Sequence, residues 1–257
     1  MKTLASALGR FVPPISARTL ARFRVALGCA LIAVTLLSPI VPVPRENQRH
    51  YSKLDLPIVH TVADSVAACQ AVWLASLVFL LLFTVGYRAR FSYALFVACF
   101  ALSAFIALES RSVHDFGVPL VTMLGWLTVP WERDRRAPGR SGANGFAVWW
   151  PGLTLGLALL AAAVSKLRRS GIAWILGGAV KYHFVQDAQN TTSELGLWIA
   201  SHPGAAILFS LGAVLFEAGF IAVIFTKSPL LRALFGILAL SFFRGTYCCR
   251  AFCGGRG

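Results

Sequence analysis

The stretch Leu159–Phe184, LLAAAVSKLRRSGIAWILGGAVKYHF, decides how this chain is read. It begins as the tail of an apolar run that opens near Phe146, stops at Lys166, Arg168 and Arg169, and resumes as an aromatic, glycine-bearing segment. An apolar helix that ends in basic residues and then turns aromatic is the pattern of a membrane helix meeting its interface. Lys166 stands at that break. A lysine partly withdrawn from water loses hydration of its charged form, which brings the neutral amine within reach, and a neutral amine can act as a base or nucleophile. A lysine at a helix end can equally snorkel to the interface and carry no chemistry. Both readings stand at this point.

Composition places the rest of the chain in the same class. Of 257 residues, 57% are hydrophobic and only 13% charged, where a soluble domain carries about a quarter charged residues. With a mean hydropathy of +0.71, the expected fold is all-α: a polytopic transmembrane bundle of about six to seven spans with a helical excursion on the outer interface. The net charge of +14 does not point to nucleic acid. The cations lie in short runs between apolar segments, where they set topology and contact lipid headgroups.

The expected spans are Val25–Pro42, Ser65–Tyr87, Phe91–Leu108, a short Phe116–Val129, Phe146–Leu167, Gly204–Phe225 and a seventh starting at Leu231. Residues 1–24 form a basic cytoplasmic lead in which Ala17–Arg24 is expected as a short surface helix. Val43–Asp64 reads as a polar loop, and Trp131–Gly145 as a loop rich in arginine and glycine. Arg168–Pro203 is the excursion, with Trp174, Tyr182 and Trp198 suited to an interface. With the N-terminus inside, thirteen Lys and Arg fall on the inner side and eight on the outer, leaving the tail aside. The expected location is therefore the plasma (inner) membrane, N-terminus cytoplasmic, with Lys166 and His114 on the outer side. The last residues, 244–257, are rich in Cys, Arg and Gly and read as a truncated or frameshifted end of the seventh span.

Few residues in this sequence can carry chemistry. Glu217 lies well inside an apolar run, GAVLFEAGFIAV, and an ionisable residue there is a candidate functional group or an interhelical hydrogen-bond partner. His114 and Asp115 sit side by side at a turn, either as an oriented acid or base or as a helix cap. Cys248, Cys249 and Cys253 lack the fourth ligand of a structural zinc site. His50 and His60 are isolated in a loop, so no metal is expected. Asn190-Thr191-Thr192 is a glycosylation sequon. No P-loop, GxGxxG, HExxH or GxSxG motif occurs.

The pairing of SRSVHDFGVPLVTMLGWLTVP with AAAVSKLRRSGIAWILGGAVKYHF resembles the horizontally transferred transmembrane (HTTM) domain family, related to the membrane part of vitamin K-dependent gamma-carboxylase. The matching positions are His114, Lys166-Leu167, and Trp174 with Gly177, and the resemblance spans Arg22 to Leu240, within an HTTM-like membrane domain of residues 25–243. It implies that Lys166 is the base that deprotonates a reduced, vitamin K-type hydroquinone, with His114 as its hydrogen-bond partner and Trp174 and Gly177 beside the cofactor. The large C-terminal extracytoplasmic domain of the carboxylase has no counterpart here, so processive glutamate carboxylation is not expected. The expected partners are the lipid bilayer, a lipid-soluble quinol and an extracytoplasmic protein, with no nucleic acid. Two other classes fit the residues: a non-catalytic membrane anchor or partner that docks through residues 168–203, and a small-solute transporter coupled through Glu217.

Overall fold

The computed structural model describes residues 11–37, 40, 42, 57–108, 114–131, 139–188, 194–226, 228 and 230–238. The side chains of residues 107, 108, 114–116, 186–188 and 194–195 are outside that description. The architecture is all-α. The helices are α1 (Ala17–Leu37), α2 (Pro57–Ala63), α3 (Val66–Val85), α4 (Ala89–Leu108), α5 (His114–Trp126), α6 (Gly142–Ser170), α7 (Ala173–Leu176), α8 (Val180–Ala188), α9 (Glu194–Ser201) and α10 (Pro203–Phe225), followed by a helix over residues 230–238. Two short strands, β1 (Ile15–Ser16) and β2 (Arg140–Ser141), pair antiparallel.

Five helices, α1, α3, α4, α6 and α10, are long and apolar enough to cross a membrane. Much of their apolar surface faces outward, as at Leu37, Val78, Val85 and Leu215, which is how spanning helices meet lipid. The protein is an integral, multi-pass membrane protein. The segment expected as a short fourth span forms α5, 13 residues long, or about 20 Å of helix, and is not one of these five. Of the segment expected as a seventh span, residues 230–238 are described as helix; residues 239–257, including the suspected tail, lie outside the described residues.

The first span differs from the expectation. Instead of a surface helix followed by a span from Val25, a single helix of 21 residues runs from Ala17 to Leu37 and takes Arg18, Arg22 and Arg24 into its first turns. Nothing between Pro14 and Leu37 breaks a helix. The charge that argued for a boundary is taken into the fold: Arg24 is buried, and its guanidinium donates to the carbonyl of Trp131 at 3.0 Å. The loop before α3 likewise contains a helix, α2, which carries His60.

The chain divides into two units between Thr154 and Leu155, inside α6. In the first, α1 and α4 pack against α3. Gly28 makes close approach possible there, since a Cβ on it would lie 2.0 Å from Thr84 Oγ1; small residues are the usual means of bringing membrane helices together. Helix α3 starts at Ser65, whose hydroxyl accepts from Ala68 N–H, and stops at Gly86. Gly86 has φ +96°, a left-handed conformation that suits glycine. The core of this unit is aromatic, with Phe83, Tyr93, Trp126 and Trp131 buried together. Their polar tips find carbonyls: Tyr93 Oη donates to Met123, Trp131 Nε1 to Trp126 and Trp126 Nε1 to Ala147.

The second unit holds the C-terminal half of α6, the three short helices of the excursion, α10 and residues 230–238. Leu155 and Leu159 of α6 pack with Phe216 and Phe220 of α10 and with Phe235. Gly156 lets α6 approach α10, since a Cβ there would lie 2.9 Å from Ile221 Cδ1. The excursion folds back on the start of α10. Gly178, at φ +61°, sits where a Cβ would be 2.9 Å from that of Ala206, and Val180 N–H donates to the buried Ser210 hydroxyl at 3.1 Å.

A lysine, a carboxylate and an indole meet in the second unit

The candidate site lies within the second unit and follows from how α6 ends. The helix continues past the apolar run through Lys166 to Ser170, and Gly171 N–H then bonds back to Leu167 O at 2.8 Å. Gly171 takes φ +56°, which reverses the chain at once into α7. That reversal brings Trp174 back over the helix it has just left. Lys166 Nζ stands 4.9 Å from the centre of the Trp174 ring, within the range of a cation–π contact.

The other partner comes from α10. Lys166 Nζ donates a hydrogen bond to Glu217 Oε1 in an ion pair. The two side chains differ in burial: Lys166 keeps 25% of its surface and Glu217 only 4%. The second carboxylate oxygen, Oε2, is buried with no hydrogen-bond partner among the described residues. A buried carboxylate is tolerated only when a partner offsets its lost hydration. Lys166 supplies that partner through one oxygen and leaves the other uncommitted.

Of the residues singled out from the sequence, Lys166, Glu217 and Trp174 therefore come together. Gly177 serves the turn rather than the ion pair. It ends α7 with ordinary helical dihedrals, and its N–H bonds to Ala173 O at 2.8 Å. His114 is the first residue of α5, in the other unit, and its side chain lies outside the described residues. The sequon at 190–192 lies outside the described residues as well. Among the described residues, no group of three or more His, Cys, Asp or Glu is placed to hold a metal.

Two positions that matter here were not singled out from the sequence. Gly171 and Ser210 look like any interfacial glycine and any serine in an apolar helix, yet they fix the path of the excursion. Gly171 could have been suspected from its place after a basic helix end, a common spot for a left-handed residue.

Comparison with protein-family models, with curated proteins and with solved structures finds no match to this chain.

Proposed function

We propose that this protein is an HTTM-like membrane protein with an outward-facing site, built around Lys166, that removes a proton from a lipid-soluble quinol. The orientation adopted is N-terminus inside, in the plasma (inner) membrane, which follows the excess of Lys and Arg on that side. The observation that supports the chemistry is the setting of Lys166. Its amine is held at the end of an apolar helix between a buried carboxylate and an indole face, with part of its surface left open. An amine so placed meets an amphiphile whose ring lies in the lipid and whose hydroxyl sits at the interface. The proton removed leaves a phenolate that the neighbouring ammonium steadies. His114 enters this reading through the resemblance alone.

The test is oxidation of reduced naphthoquinone by dissolved oxygen, which takes the electrons of the phenolate, with the purified protein in lipid, comparing wild type with Lys166→Met. Turnover that disappears in a folded variant is the expected result. Turnover unchanged in Lys166→Met removes the base from the reading.

One observation favours a second reading, a proton-coupled transporter: Glu217 is buried in the middle of α10 with one oxygen uncommitted. Uptake into vesicles that survives Glu217→Gln would end that reading.

A further inference from the structure

Resting on the quinol reading above, we propose that Glu217 is the terminal proton acceptor of the site and that Lys166 is the relay that reaches it. The difference in exposure assigns the order. Lys166 keeps a quarter of its side-chain surface, and Glu217 almost none, so a substrate hydroxyl arriving from the interface meets the amine first. The amine, however, already donates to Glu217 Oε1, and an ammonium has three donors and no acceptor. It takes a proton only as it gives one up.

The step therefore runs through both groups. The substrate O–H bond breaks as a new Nζ–H bond forms, and the Nζ–H that pointed at Glu217 breaks as an Oε1–H bond forms. Lysine is an ammonium before and after; the carboxylate has become a carboxylic acid, and the substrate a phenolate. One proton has moved inward and no oxidant is consumed. The Trp174 face favours a cation at Nζ at both ends of the step, which suits a carrier. Oε2 has no partner among the described residues, so no second donor ties the carboxylate to its charged form.

The proposal reverses what a lone lysine base requires. For a lone base, removing the neighbouring carboxylate leaves the amine freer to be neutral, and Glu217→Gln keeps or raises turnover. For the relay, Glu217→Gln removes the acceptor. The experiment measures oxidation of reduced naphthoquinone by dissolved oxygen in lipid nanodiscs, a reaction that follows the proton transfer, together with the infrared carboxylic-acid C=O band that appears when the quinol is added. Expected are a fall on the order of 100-fold in Glu217→Gln, partial recovery in Glu217→Asp, and a band present in wild type and missing in Glu217→Gln. Turnover retained or raised in Glu217→Gln overturns the relay and leaves the quinol reading standing. If Glu217→Gln does not fold, the wild-type band decides: turnover without a new carboxylic-acid band also overturns the relay. A wild type with neither turnover nor band overturns the quinol reading and the relay with it.

Discussion

Trp126 donates its indole N–H to the carbonyl of Ala147 at 2.7 Å, and that carbonyl is the one Pro151 leaves vacant. Proline has no N–H, so its place inside α6 removes the helical bond that residue 151 would give to residue 147. In a lipid-embedded helix an unpaired carbonyl is costly, because no water is present to satisfy it. A tryptophan from α5 fills the gap and ties the two helices together within the first unit.

Trp126→Phe should therefore cost about 1–3 kcal/mol, the usual penalty for stranding a buried polar group, beyond what the smaller ring loses in packing. Pro151→Ala restores the intrahelical donor, so the loss caused by Trp126→Phe should shrink in the Pro151→Ala background. Thermal melts of the four proteins in detergent give the coupling. Independent losses would show that the two residues do not share the carbonyl.

Gly86→Ala should destabilise by about 1–2 kcal/mol, because it places a Cβ in a left-handed conformation. The added atom would also lie 2.4 Å from a guanidinium nitrogen of Arg24. Gly212→Ala, in α10 with nothing within 4 Å of the added atom, should equal wild type or exceed it by up to about 1 kcal/mol. Equal melting temperatures for the two variants would contradict the geometry at Gly86.

Lys166→Met should destabilise more than the exposure of Lys166 suggests, because it strands the carboxylate of Glu217. The expected cost is about 1–3 kcal/mol, below the figure for a fully buried pair because Lys166 is partly exposed. Combining it with Glu217→Gln should recover most of that loss. A double variant no more stable than Lys166→Met would mean that the ion pair contributes little.

The adopted orientation predicts opposite labelling on two turns. With the native cysteines replaced, Ser170→Cys should react with a membrane-impermeant maleimide on intact cells. Tyr87→Cys, in the exposed turn between α3 and α4, should react only after the membrane is opened. The reverse pattern would invert the topology.

The spanning helices were legible because each is a long run of apolar residues, and with no water in lipid to satisfy its backbone groups such a run must be helix. The start of α1 was not, because Arg24 reads as the edge of a membrane, whereas the fold buries it against Trp131, 107 positions away. The same limit hid the site. Lys166 and Glu217 each stood out as an ionisable group in apolar sequence, but their partnership spans 51 positions. No spacing along one helix encodes a contact between two. The excursion was legible as a segment distinct from the spans, yet the breaks on either side of α7 depend on Gly171 and Gly178, whose dihedrals only the folded chain reveals.

The small ladder between Ile15–Ser16 and Arg140–Ser141 has a consequence for how often the chain passes through the bilayer. It sets the entrance of α1 beside the entrance of α6, and Asn144 reinforces it by donating to Ile15 O at 3.1 Å. Both helices must then enter from the same face, so the number of passages from the start of α1 to the start of α6 is even. Helices α1, α3 and α4 account for three, and α2, at seven residues, is too short to add one. Among the described helices, parity leaves α5 as the fourth. A helix of about 20 Å then has to cross a hydrocarbon layer of ~30 Å, so the lipid beside α5 is expected to be pinched thinner than the lipid around the rest of the protein.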